Sequence, residues 1–344
     1  MLIDNKTPFA VERAGISDEN GENLLLTVVK ATWEYDHTGK LRIAQQQNDI
    51  SFADEYFGDP ESTSIRYSAD FSYDKLSTDI ALSGHACAPY EGARESDVSF
   101  RVGEVSREVA VFGNRVWKKR LGFYYISEPQ PFTKIPLIWE NAFGGRDMTP
   151  EKEKRRGWEV RNPVGRGFRA KGSRLEVEDT LLPNFEDPNN LITSPNMRPE
   201  PAGFGFIGPS WKPRADFAGT YDEEWQKTRL PLLPLDFDKR FFNAACPELV
   251  YPGFITGGEV VEIRGTVPGG VPLYFTVPTL SLGVKGVLKD GSEHVPQMYC
   301  DKLIVDCDAS QLVMVWIGCL RLDCDFLDVG SVEYDFDSES PLNL

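Results

Sequence analysis

Asp236 and Asp238, two residues apart in the stretch PLDFDKR, are the nearest thing in this sequence to a catalytic pair. In an extended segment, residues i and i+2 point to the same side. Two carboxylates so placed could bind a metal or divide acid and base roles, as in a glycosidase. The same placement serves equally to hold Arg240 or Arg214 through bidentate hydrogen bonds, which pins a loop. No His and no third acidic ligand lie close by. Structural pairing is therefore the expectation, and a carboxylate-dependent hydrolase using Asp236 and Asp238 is the alternative. His85 and Cys87, in SGHACAP, raise a second possibility, because residues two apart on one strand share a face. A thiolate nucleophile also needs an orienting group and an oxyanion hole, and the neighbouring sequence offers neither.

Three glycine-rich pieces, FGGR at 143–146, NPVGRGF at 162–168 and GFGFIG at 203–208, carry no Lys-Ser/Thr pair and open no evident helix. Phosphate-cradling loops need that context, so tight turns account for these glycines. The six cysteines, Cys87, Cys246, Cys300, Cys307, Cys319 and Cys324, include no CxxC pair. Loose spacing and a lone His294 nearby argue for buried free thiols over a zinc site. No metal and no cofactor are expected.

The elements that must position these residues fall into three stretches. Residues 1–128 read as short antiparallel strands. Asn23–Trp33 is a long apolar run, His37–Lys40 a turn, and Leu41–Ala44 its returning partner. Asp79–Ala88 reads as one strand, and Val98–Gly103 with Glu108–Gly113 as a hairpin. Residues 129–247 hold nearly half of the chain's 30 Gly and 24 Pro residues, which marks turns and extended segments. Glu151–Arg156 reads as a solvated loop or a short helix face, and the best short-helix candidate is Asp222–Lys227, with acidic residues where the helix dipole favours them. Residues 248–330 return to strands at Glu259–Arg264, Val271–Val277, Leu280–Leu288, Lys302–Cys307 and Gln311–Ile317. The expectation is a mainly β fold, an antiparallel β-sandwich or barrel-like core, with a long ordered Gly/Pro/aromatic-rich central loop region. Residues 1–330 are expected to form one composite domain, and 331–344 a frayed acidic tail.

Within the middle, Pro199–Ala245 sets Trp211, Trp225, Tyr221 and several Phe among Gly, Pro, Arg and Asp with no helical or strand period. Irregular segments are usually too polar to offset the entropy of ordering. This one carries enough aromatic surface to be packed down, and ordered loops of this length are uncommon and often functional. Covering a sheet is the plainer job for it. As contacts, its candidates are Trp211, Arg214, Tyr221, Trp225, Arg240 and Phe241, since aromatic and Arg side chains anchor protein interfaces. A carbohydrate-binding module, stacking sugars on Trp and Tyr, is a further alternative.

A net charge of −16 disfavours nucleic acid or an anionic membrane as the main partner. The N-terminus lacks the apolar core of a signal peptide, and no window reaches the ~18 apolar residues of a membrane span. A cytoplasmic protein without membrane insertion is the expectation.

Several stretches, taken in order, resemble the domain of unknown function 2169 family over about residues 7–280. They include VVKATW at 28–33, ADEYFGDPESTSIRYSAD at 53–70, KLSTDIALSGHACAP at 75–89 and VFGNRVW at 111–117. EPQPFTKIPLIWENAFGG at 128–145, RNPVGRGF at 161–168, LPNFEDP at 182–188 and the stretch through PLLPLDFDKRFFNAA follow. His85 and Cys87 depart from the pattern, and the resemblance fades after about Leu280. The family is linked to bacterial type VI secretion. The resemblance implies an adaptor or chaperone that holds a secreted effector, often one with a PAAR-like domain, and loads it onto the secretion spike. It implies no catalysis and no cofactor.

Overall fold

The computed structural model describes residues 1–336. Its largest sheet is built on the Asn23–Tyr35 strand. Ala10–Ser17 flanks it on one side; Gln311–Leu322, Met298–Asp306 and Asp79–Ser83 follow on the other. Leu41–Ile43 folds back onto the end of Asn23–Tyr35, so the hairpin expected around His37–Lys40 forms. Neighbours are antiparallel except Met298–Asp306 and Asp79–Ser83, which run parallel.

The Asn23–Trp33 run carries apolar residues on both of its faces because both faces are covered. Leu25, Val29, Ala31 and Trp33 face the main core, while Leu26 and Val28 face a second layer containing Val315, Ile317, Phe71 and Tyr73. Each large apolar side chain fully buried there stabilises the fold by about 1.5–3 kcal/mol relative to exposure.

A second, antiparallel sheet carries Phe185–Glu186, Val105–Phe112, Glu95–Val102, Val260–Arg264 and Leu273–Thr276. It contributes Phe100, Val109, Val261 and Phe275 to the same core as Trp33 and Trp316, so the two sheets stack as a sandwich. A third sheet orders Leu2–Asn5, Val329–Phe336, Leu282–Leu288 and Glu293–His294. Among the described residues no sheet closes into a barrel. The fold is mainly β, sandwich-like and largely antiparallel. The core also takes Trp139, Phe185, Phe204 and Trp211 from the irregular middle.

Four expectations need correction. Asp79–Ala88 is two strands, Asp79–Ser83 and His85–Cys87, because Gly84 sits at φ +126° between them. Gln311–Leu322 runs past Ile317, carried by pairing with Leu24–Leu26. Residues 331–336, expected within the frayed tail, lie in a strand whose Val332 and Tyr334 are fully buried. The acidic side chains misled there, since they alternate with the buried ones. Residues 337–344 of that tail lie outside the described residues. The resemblance, expected to fade after about Leu280, is taken up below.

Candidate functional site

Position within the large sheet dictates the site's chemistry. Lys30 interrupts an apolar strand, and by register it stands beside Val315, which stands beside Lys302. Two ammonium groups are thus set into the outer face of the sheet with almost no solvent. Buried charges persist only when paired and hydrogen-bonded. Asp70 meets both: one carboxylate oxygen accepts from Lys30 Nζ at 2.9 Å and the other from Lys302 Nζ at 3.0 Å. Ser51 N donates to Asp70 Oδ2 at 2.8 Å, and Lys30 Nζ donates to the Asp49 carbonyl at 2.7 Å. Burial raises the Asp70 carboxyl, but the Lys302 and Lys30 charges outweigh it and hold the group below its usual range.

A second knot adjoins the first. Between Cys300 and Lys302 the ladder slips by one residue, and Asp301 is the extra one. Such a bulge re-aims a side chain. Asp301 here reaches Lys75 Nζ at 3.2 Å and accepts from Ser72 Oγ at 2.5 Å. Lys75 also bonds Asp79 at 2.8 Å, and Asp79 in turn accepts from Asn243 Nδ2 at 2.9 Å and Ala244 N at 2.7 Å. Burial alone would lower the Lys75 ammonium; Asp301 and Asp79 instead hold it above its usual value. The Asp301 Oδ2 atom has no hydrogen-bond partner, and its contact with Lys302 at 4.0 Å is too long to be one. The residue is 2% exposed.

Above this network lies a groove. One lobe, about 400 Å³, has Lys75 and Asp301 in its lining, with Tyr73, Phe254, Tyr299 and Ile317 as apolar walls. Its neighbour, about 260 Å³, shares Tyr73 and Asp74 and is lined by Arg229, Leu235, Phe237 and Phe242 of the central segment. The central segment therefore forms one bank of the groove and the sheet the other.

None of the six interaction candidates lines either lobe. Trp211 is buried, edge-on to Trp139 at 6.4 Å, and helps hold the segment to the core. Arg214 donates to the carbonyls of Phe241 at 2.8 Å and Ile207 at 3.1 Å, and burial pulls its guanidinium below its usual value. Its charge stands 5.0 Å over the half-buried Phe241 ring. Trp225, half-buried, donates from Nε1 to the Leu232 carbonyl at 2.9 Å, inside the short helix Glu223–Thr228 and the turn after it. Asp222 caps that helix by accepting from Trp225 N at 2.9 Å. Tyr221 is exposed and meets Trp225 edge to face at 4.7 Å. Arg240 is exposed, 4.2 Å over Phe217.

The paired aspartates take different partners. Asp238 accepts from Arg240 N at 2.9 Å and Nε at 2.9 Å, and the Arg240 side chain draws its carboxyl below the usual range. Asp236 accepts from Thr220 N at 2.9 Å and Oγ1 at 2.7 Å. Each closes a turn of the loop. His85 Nδ1 lies 2.7 Å from Asp308 Oδ2. Cys87 Sγ instead donates to the Thr266 carbonyl at 3.2 Å, and burial pushes its thiol up, opposite to what a nucleophile needs. Among the described residues no group of His, Cys, Asp and Glu is arranged to hold a metal ion, and no helix is long and apolar enough to cross a membrane.

The ionic network was absent from the expectations, though a signal existed. A single Lys inside LLLTVVKATW, and another in DKLIVD, cannot lie in covered strands without carboxylates opposite. Their partners come from stretches that carry the family resemblance: Lys30 in VVKATW, Asp70 closing YSAD, and Lys75 and Asp79 in KLSTD. Asn243 and Ala244 come from RFFNAA. With the DKLIVD strand, five separate pieces of chain thus meet in one network.

No curated protein and no solved structure matches the chain. A family model does match, over residues 20–317, so the likeness runs on past Leu280 and takes in the Met298–Asp306 strand and half of Gln311–Leu322. The first of these strands supplies Asp301 and Lys302 to the network. The chain belongs to the DUF2169 family, described as an uncharacterized protein conserved in bacteria.

Proposed function

We infer that the protein is a non-enzymatic adaptor that holds a secreted effector, one carrying a PAAR-like domain, and loads it onto a type VI secretion spike. The groove and the central segment beside it form the docking surface in this reading. One observation carries it: apolar side chains stand in solvent along the groove. Leu235 lines it at 85% exposure, and the exposed Leu76 and Leu230 adjoin the lining residues Lys75 and Arg229. Exposed leucines on and next to the groove's lining suit a protein partner. The rigid bank beneath them, fixed by buried ion pairs, keeps the ordering cost of binding small.

Asp236 and Asp238 give the hydrolase alternative less support, since each is engaged in closing a turn. Tyr221 and Trp225 meet edge to face, which favours a protein contact over a flat sugar-stacking platform. Affinity-tagged protein recovered from its own bacterium tests the reading. Wild type is expected to retain a secreted effector, and Leu235→Asp to lose it while keeping its circular dichroism spectrum. Retention of the same proteins by both forms, or of nothing secreted by either, would overturn it.

A further inference from the structure

The stretch 146–174 sets ten Lys and Arg against four Asp and Glu, a net charge of +6, while the remaining residues carry −22. The fold gathers these cations onto one face. Ala170 N donates to Asp147 Oδ2 at 3.0 Å and Arg174 N to Thr149 Oγ1 at 2.9 Å, which ties the 147–156 and 169–174 loops side by side. Arg156 Nε donates to the Pro150 carbonyl at 3.2 Å. Arg155 lies so close to Gly172 that a Cβ there would sit 3.2 Å from its guanidinium. Arg198 joins them by donating to the Arg169 carbonyl at 3.1 Å.

Two of the four carboxylates are buried: Asp147 holds Thr149 N and Ala170 N, and Glu159 pairs with Arg161 at 2.6 Å. Of the outer two, Glu151 pairs with Arg174 at 3.1 Å, and Glu153 opens the 3-10 turn Glu153–Arg155. Lys152, Lys154, Arg155, Arg156, Lys171 and Arg198 are exposed and make no ion pair among the described residues. With the bordering Glu61, Glu176, Glu178 and Glu200 included, ten exposed or half-buried cations still stand against six carboxylates. Apolar surface accompanies them. Strand pairing sets Trp158 directly opposite Arg146, on the side away from Asp147. Trp158 is 52% exposed, and Met148, just past Asp147, 58%.

We propose that this face binds an acidic segment of another polypeptide, its carboxylates on the Lys152–Arg156 turn and an apolar side chain against Trp158 and Met148. Seven of the ten surface cations are Arg, whose planar fork takes carboxylates bidentately. Arg clusters recognise acidic motifs, and Trp, Met and Arg are the side chains enriched where proteins meet. A nucleic-acid duplex or a lipid leaflet presents an extended field of negative charge. Such a field meets Glu153, Glu61, Glu176 and Glu178 along with the cations, whereas a segment a few residues wide follows the cations alone. The −22 carried elsewhere repels an extended polyanion further. None of these residues lines the groove, so the face is a second surface that works whether or not the groove holds cargo.

Fluorescence anisotropy titration of the full chain tests this. The probes are dye-labelled peptides that alternate Glu with Leu or Phe, and the same peptides with Gln in place of Glu. Wild type is expected to bind the Glu peptides at least about tenfold more tightly than the Gln forms, and less tightly as salt is raised. Lys152→Glu with Lys154→Glu is expected to weaken binding about tenfold or more, and Trp158→Ser to weaken it as well. Should the first variant not fold, Arg155→Glu with Lys171→Glu takes its place. Leu235→Asp is expected to bind as wild type does, which separates this face from the groove. No binding, equal binding of Glu and Gln peptides, or wild-type affinity in the charge-reversed variant overturns the proposal. So does loss of the peptide in Leu235→Asp. Tighter binding of phosphatidylglycerol vesicles or of a duplex DNA oligonucleotide than of the Glu peptides also overturns it, and assigns the face to lipid or nucleic acid. Wild type that sediments as a dimer while the charge-reversed variant sediments as a monomer overturns it too, in favour of a second copy. None of these results bears on whether the groove retains cargo.

Discussion

Single residues of the central segment divide by what their side chains touch. Trp211 is packed on Trp139 and leaves no room at Gly208, where an added Cβ would sit 2.9 Å from the Trp211 ring. Trp211→Ala should cost about 3–5 kcal/mol, the usual range for emptying a buried aromatic site. Arg214→Ala strips charged donors from two carbonyls and should cost about 1.5–3 kcal/mol. Tyr221→Ala removes a surface ring and should shift stability by no more than about 0.5 kcal/mol. Urea denaturation checks all three. The ordering matters more than the sizes: Tyr221 can report on partner contact without unfolding the protein, whereas Trp211 and Arg214 cannot.

At the scale of elements, the ionic network ties the 44–78 loop and the end of the central segment to the large sheet. Asp70→Asn would leave Lys30 and Lys302 buried without their counter-charge, at a cost of about 3–5 kcal/mol in urea denaturation. The pH dependence has a definite sign. The Asp70 carboxyl is lower in the folded chain than its ordinary 3.8, so its contribution is complete above that value and is lost as pH falls through it. Lys75 is higher than its ordinary 10.5, so its contribution is complete below that value and is lost as pH rises past it. Thermal midpoints should therefore form a broad plateau with an acid and an alkaline shoulder, and Asp70→Asn should flatten the acid one. Strand positions were legible in the sequence wherever one face is covered and the other wet, as in Glu95–Val102 and Val260–Arg264. The groove was not. It arises from a one-residue slip at Asp301 and from loops brought together over 200 positions apart, as Lys75 and Asp301 are. Neither leaves a local pattern. The six aromatic and Arg candidates were chosen by type, and type alone does not separate Trp211, a clamp, from Leu235, a rim residue.

For the whole molecule, the proposed function casts the sandwich as a rigid support and the groove as the docking face. Binding at a preformed, apolar-rimmed surface rests on a few central contacts, and replacing one with a charge typically weakens the complex tenfold or more, about 1.4 kcal/mol. Equilibrium titration of the retained effector, purified, against wild type, Leu235→Asp and Asp236→Asn is the most direct measurement. The account predicts a 1:1 complex with wild type, at least about tenfold weaker with Leu235→Asp and unchanged with Asp236→Asn. Equal affinity for wild type and Leu235→Asp would contradict it, because the groove's rim would then play no part in holding the partner.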